Sequence, residues 1–496
     1  MEEQSLQRKT ASSVKWNFVD RFGTQILYGV TGIILARILD PREFGLIGAI
    51  LVFQAFASLM IDSGFMPALL QRKRPAFADY CSVFWFNVLS SIILYVALFF
   101  AAPLIALWFD DTQELIPLSR VTFLSFIINA LSLVPNNRLL KKMNVRPVAM
   151  ANTAGLIAGG IVGIVMAVYG YGAWALVFQT LSLGVVKGLV LWIADKWMPR
   201  MIFSWAILKS YFSFGGSMML SSFLNTLFLN IYSFVIGNRV GMAPLGYYTQ
   251  GDKWSKMGIM SLTQIFQTSF LPTLSEVQSD SERFNRLSRK INRFICYVSF
   301  PCLLGLTCMA APVFHSLFGA KWDDAIPLFQ LLLIRGVFYV MTQSCGIMIM
   351  AKGSSRLVVS TEVVRDVVAL VALFASLPFV NLSWESHLLI GLELLIAGQI
   401  LASIVAWIYT LRKCVGLMGV KSSVFIADMM PMLIATVASC LPVIWIGMAS
   451  WNSWVILCVQ GVVGVGCYLG LNFFISPSLQ RQVLGRLFDR KRASTV

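Results

Sequence analysis

Apolar runs of helix length recur fourteen times along the chain, and that succession limits its fold more than any other feature. They cover residues 15–39, 44–70, 80–101, 117–139, 148–168, 172–193, 211–237, 247–272, 290–311, 325–351, 357–379, 387–411, 424–448 and 453–475. A helix rises about 1.5 Å per residue, so about 20 residues cross a hydrocarbon core of about 30 Å. Length and periodicity therefore mark each run as a spanning helix. The connections are short and leave no extramembrane domain. Composition agrees: the chain is 57% hydrophobic and 12% charged, against about 25% charged in a soluble protein. The expected fold class is an all-α integral membrane protein with about 14 transmembrane helices.

The charges test this topology. With a cytoplasmic N-terminus, 28 of the 39 basic residues fall in one set of loops and the tail, 3 in the opposite loops and 8 within spans. Such a bias marks the basic side as cytoplasmic and places both termini there. The net charge of +16 then reports basic loops rather than nucleic acid. The polar start is followed by no signal-peptide cleavage pattern. Nine cysteines lie scattered, mostly in apolar runs, without metal spacing, and the two histidines are far apart. They suggest reduced core residues and no cofactor.

An internal repeat organises the chain. Ile116-Pro117-Leu118 recurs as Ile326-Pro327-Leu328, and Lys142 recurs as Lys352. PLIALWF from Pro103 is similar to PVFHSLF from Pro312, and ARILDPREFG ending at Gly45 is similar to GNRVGMAPLG ending at Gly246. Each half holds six spans, an even number, so the halves are parallel repeats that face a central cavity. The expected divisions are a cytoplasmic segment 1–14, six-helix bundles at 15–200 and 201–411, two further helices within 412–475, and a basic tail at 476–496.

The candidate chemistry lies in charges inside the spans. Gly246 to Ser275 is long enough to cross a bilayer, yet carries Asp252, Lys253 and Lys256. Each such charge costs roughly 2.5–3.5 kcal/mol on insertion scales, so it faces a partner, an interior or water. Asp252 and Lys256 are four apart and can neutralise each other. That pair alone leaves Lys253, Gln264 and Gln267 unexplained, whereas a wet cavity accounts for all of them. Asn17, Arg21, Gln25 and Tyr28 make a second polar stripe on the first span. Arg335 stands near the middle of its span with no acid on its own helix. Asp62 and Glu393 are deep acids, and with Asp252 they are candidates for coupling to H+ or Na+. Glu362, Arg365 and Asp366 suggest an interfacial ion-pair set. Gly155, Gly159, Gly160 and Gly163 suggest close helix packing. Enzyme signatures are absent: no phosphate loop, no HExxH and no GxSxG.

ASSVKWNFVDRFGTQILYGVTGIILARILDPREFGLIG, LLQRKRPAFADYCSVFWFNV, GYYTQGDKW, LPTLSEVQSDSERF and FGAKWDDAIPLFQLL occur in that order. Together they resemble the polysaccharide (lipopolysaccharide, exopolysaccharide, O-antigen) flippase family, within the multidrug/oligosaccharidyl-lipid/polysaccharide exporter superfamily. The resemblance covers roughly residues 10 to 410. It implies two helix bundles in a V shape, to which the span count adds two C-terminal helices outside the repeat. It implies movement of undecaprenyl-pyrophosphate-linked oligosaccharide units across a bacterial inner membrane for surface polysaccharide biosynthesis. It also implies a cationic cavity that holds the pyrophosphate, with Arg21 and Lys253 at places where the family often carries basic residues. Arg21, Gln25, Lys253, Lys256, Gln264 and Arg335 are the expected substrate-binding set. Expected partners are the lipid-linked oligosaccharide, membrane lipids, and a polysaccharide polymerase with its export machinery.

Other classes stand beside this one. A multidrug or small-cation antiporter of the same superfamily would have twelve spans and a cavity dominated by acids. A membrane glycosyltransferase or polymerase needs a catalytic outer loop, and the longest here, Pro312 to Asp324, is short. A non-transporting component of polysaccharide assembly is the third reading.

Overall fold

A computed structural model describes residues 2–62, 69, 72, 75–109, 112–382, 390–475 and 480. Helices make up the structured part, and no strand occurs among the described residues. In chain order they are α1 (Glu2–Ile38), α2 (Pro41–Asp62), α3 (Phe77–Trp108), α4 (Leu115–Thr122), α5 (Leu124–Lys141), α6 (Val145–Val168), α7 (Ala173–Asp195) and α8 (Trp205–Arg239). There follow α9 (Met242–Glu276), α10 (Ser281–Cys308), α11 (Ala310–Leu317), α12 (Ala325–Ala351), α13 (Ser355–Leu382), α14 (Ile390–Met418), α15 (Ser422–Gly447) and α16 (Ser453–Ile475).

Each predicted span falls on a helix where it is described; residues 63–68 and 70 of the second span and 387–389 of the twelfth lie outside the described residues. The span expected at 117–139 is divided into α4 and α5 at Phe123, which itself keeps helical dihedrals. Among the described residues, 10 helical segments are long and apolar enough to cross a membrane, so the chain is a multi-pass membrane protein. The other four predicted spans coincide with α1, α8, α9 and α13. These too are long, and α9 carries the charged stripe within its length.

Side-chain oxygens close several helix starts. Asp280 accepts the amide of Arg283 at 3.0 Å and begins α10. Asp79 reaches back to the Ala76 amide at 2.8 Å and begins α3. Small residues then set how closely helices approach. A Cβ on Gly159 would lie 2.6 Å from the Gln179 carbonyl oxygen, and one on Gly155 2.8 Å from that of Leu183, so both glycines face α7. Gly160 turns the other way, where a Cβ would meet the Thr31 hydroxyl of α1 at 3.0 Å. The glycine cluster is a packing device, as its spacing suggests.

Contacts divide the chain into two compact units, 1–249 and 250–496. The repeat suggests a division after residue 200, and the two divisions follow different things. α8 packs on α2 and α3, which groups it with the first unit. Inside the units the repeat shows as packing. In the first, α3 packs on α5, α5 on α7, and α6 on α7; in the second, α10 packs on α12, α12 on α14, and α13 on α14. Arg72, after α2, donates to the Tyr211 hydroxyl of α8 at 3.0 Å and lies 3.4 Å from Asp79. That hydrogen bond, with the Asp79 charge, pushes the guanidinium above its usual range and keeps it cationic. α15 and α16 pack on each other, and on α10 and α11 respectively.

Candidate functional site

Three charges converge in the second unit. On α9, Lys256 Nζ lies 2.6 Å from Asp252 Oδ2, the expected pair one turn apart. α12 supplies the third: Arg335 Nη2 lies 3.1 Å from Asp252 Oδ1. Its other terminal nitrogen donates to Gln399 Oε1 of α14, a buried side chain. The Asp252, Arg335 and Lys256 side chains are 15%, 18% and 33% exposed. Two cations against one acid leave a single net positive charge, partly withdrawn from water. Arg335 lacks an acid on its own helix, as its sequence context suggests, and finds one on another.

The same faces continue as a neutral cavity of about 220 Å³. Thr263 and Gln267 line it from α9, with Tyr339, Gln343, Ile347 and Met350 from α12. At 100° per residue, Lys256, Thr263 and Gln267 share one face of α9, and Arg335, Tyr339 and Gln343 share one face of α12.

The predicted stripe on α9 therefore separates in two. Lys256 and Gln267 belong to the face just described. The Lys253 ammonium lies 5.5 Å from the ring centre of Trp254, and Gln264 is exposed outside the cavity lining. Arg21 and Gln25 stand exposed on α1 in the first unit. Their neighbour Asp20 accepts from the Asn152 amide of α6 at 3.2 Å. Glu393 is half-buried in the first described turn of α14. Asp62 closes α2, and its side chain lies outside the described residues. Arg365 contacts Glu362 at 2.5 Å and Asp366 at 2.9 Å, the expected ion-pair set.

The first unit has a cavity of similar size that the sequence did not single out. Lys187 of α7 reaches into it, among Ser58, Asn129, Ser132 and Asn136. The run of Lys187 is apolar, and its polar neighbours come from two other helices, so no single-helix pattern reveals the grouping. Two further buried acids, Asp195 and Asp428, are each held by a pair of cations. Asp195 is held by Arg138 and Lys142, each at 2.6 Å. Asp428 of α15 is held by Arg289 at 2.7 Å and by Arg293.

A family model described as "Polysaccharide biosynthesis protein" matches residues 34–327, more than half of the chain. The chain belongs to this polysaccharide biosynthesis family. Among the relatives of this polysaccharide biosynthesis protein is the lipopolysaccharide biosynthesis protein WzxC of Escherichia coli (strain K12). It is 27% identical over 358 residues, or 70% of this chain and 71% of the relative. The teichuronic acid biosynthesis protein TuaB of Bacillus subtilis (strain 168) is 25% identical over 71% of this chain and 73% of its own. The succinoglycan biosynthesis transport protein ExoT of Rhizobium meliloti (strain 1021) is 28% identical over 66% of each. Among solved structures, the inward closed conformation of the lipid II flippase MurJ superposes with a TM-score of 0.68 at 15% identity. That match covers 94% of this chain and 99% of that one. An inward-facing multidrug resistance MATE family transporter of the MOP superfamily gives 0.58 at 18% identity, over 79% and 95%. The family member thus shares the helical fold of these two structures.

Proposed function

We propose that the protein flips a lipid-linked oligosaccharide, carried on undecaprenyl pyrophosphate, from the cytoplasmic to the outer leaflet of a bacterial inner membrane by alternating access. The observation that carries this reading is the Lys256–Asp252–Arg335 cluster, a net positive charge inside a helical unit. Pyrophosphate oxygens accept from arginine bidentately and from lysine as a point charge. Asp252 holds both cations in place without neutralising them together, which favours a site that binds and still releases. Arg21 and Lys253 are further candidate ligands. The names of WzxC, TuaB and ExoT, with the MurJ fold, favour a polysaccharide precursor over a drug as cargo. The role is transport rather than catalysis, and polymerase and export machinery are proposed partners.

The deciding experiment is transport of a defined undecaprenyl-pyrophosphate oligosaccharide in proteoliposomes. Wild type moves it, and Arg21→Ala, Lys253→Ala and Arg335→Ala combined do not. Undiminished transport by the triple variant removes the cationic site. Coupling to H+ or Na+ is proposed through Asp62 or Glu393, because Asp252 is already shared between two cations. Full gradient-driven transport by both Asp62→Asn and Glu393→Gln excludes that role.

A further inference from the structure

The neutral cavity beside the charged cluster has a chemistry of its own. Four of its six lining side chains are hydroxyls or amides, and none is ionised. The Thr263 hydroxyl donates to the Ile259 and Met260 carbonyls at 3.0 and 3.1 Å, which leaves its lone pairs for the cavity. Gln267, Tyr339 and Gln343 can each donate and accept. Ile347 and Met350 add an apolar wall. The cavity has a volume of about 220 Å³. That suits one pyranose ring: hydroxyls that donate and accept, around a face of C–H groups.

Its position is equally specific. Tyr339 and Gln343 follow Arg335 by one and two turns on the same face, about 6 and 12 Å further along α12. Thr263 and Gln267 follow Lys256 by two and three turns on α9, about 10 and 16 Å. A phosphate at the cluster thus has the neutral cavity beginning about one turn further along, on the C-terminal side of both helices.

We propose that Thr263, Gln267, Tyr339 and Gln343 form a subsite for the first sugar next to the pyrophosphate, selecting a neutral, hydroxyl-rich ring. The subsite rests on the reading of the charged cluster as the pyrophosphate site. It makes the sugar, and not only the lipid phosphate, part of what the second unit recognises. An acidic sugar is disfavoured, because no cation lines the cavity to compensate its charge.

The test separates the two levels. Full-length protein in nanodiscs is titrated calorimetrically with farnesyl pyrophosphate, and with farnesyl pyrophosphate bearing one glucose, galactose or N-acetylglucosamine. Wild type is expected to bind at least one sugar-bearing probe about tenfold more tightly than the bare one, the worth of one or two net hydrogen bonds. In Tyr339→Phe combined with Gln343→Leu, and separately in Gln343→Ala, that ratio falls toward one. Thermal melting identifies any variant that is misfolded; Gln267→Leu, on the other helix, then replaces it. If the bare probe does not bind wild type, the charged-cluster reading fails. If the bare probe binds but no sugar improves it, or the improvement survives in every folded variant, the subsite is overturned while the charged cluster stands.

Discussion

Gly45 and Gly246 hold matching positions in the two halves of the repeat, and they lie against each other. A Cβ on Gly45 would be 3.1 Å from the Gly246 amide nitrogen, and one on Gly246 would be 3.2 Å from that of Gly45. Each would also run into a carbonyl, that of Met242 or of Pro41, themselves matching positions. The starts of α2 and α9 therefore cross backbone to backbone, and the contact is reciprocal.

This crossing should not tolerate a methyl group. Gly45→Ala and Gly246→Ala are each expected to abolish surface polysaccharide in a complemented deletion strain. Because both act on one contact, the double variant should be no worse than either single. Gly258→Ala, on the same helix with nothing within 4 Å of its Cβ, should export normally. Immunoblots of membranes separate loss of transport from loss of protein.

The charged cluster gives an order of severity. Arg335→Ala leaves Asp252 its Lys256 partner, so protein levels should hold while export falls. Removing both Lys256 and Arg335 strands a mostly buried acid, at a cost of about 3–5 kcal/mol. The membrane level of that double variant should then drop. Adding Asp252→Asn should restore the level without restoring export.

Asp195 and Asp428 should behave asymmetrically with their partners. Their side chains are 0% and 3% exposed, whereas Arg289 and Arg293 are 39% and 45% exposed and Lys142 53%. Stranded cations can turn toward water, but a stranded acid cannot. Arg289→Ala with Arg293→Ala should therefore lower the melting temperature in detergent more than Asp428→Asn does. The same order is expected for Arg138→Ala with Lys142→Ala against Asp195→Asn.

The charge bias predicts the orientation. Reporters fused after Lys142 and after Arg492 should both be cytoplasmic, and one within 110–114 periplasmic. A periplasmic C-terminus would overturn the expectation of fourteen crossings drawn from the sequence.

Much of this was legible because it is local or periodic. Apolar length located the helices, a four-residue spacing joined Asp252 to Lys256, and the glycine spacing on α6 announced a close neighbour. Gly45 and Gly246 were visible as ends of similar motifs, but their contact depends on how two distant helix starts meet. Pairings between helices were likewise hidden. Nothing in the run around Arg335 names Asp252 as its acid, and nothing near Lys187 names the asparagines of α5. The α9 stripe shows the limit of periodicity: it groups Lys253 with Lys256, and only packing shows which residues α12 meets.

Asp195 and Asp428 also carry a consequence for how the chain is made. Arg138 and Lys142 precede Asp195 by 57 and 53 residues, and Arg289 and Arg293 precede Asp428 by 139 and 135. In both cases the cations precede the acid in the chain, so they are synthesised first. Asp252 reverses the sequence. It emerges with Lys256 four residues behind it and meets Arg335 only 83 residues later. Lys256 is thus the partner on the same helix, and Arg335 the one supplied by a later helix.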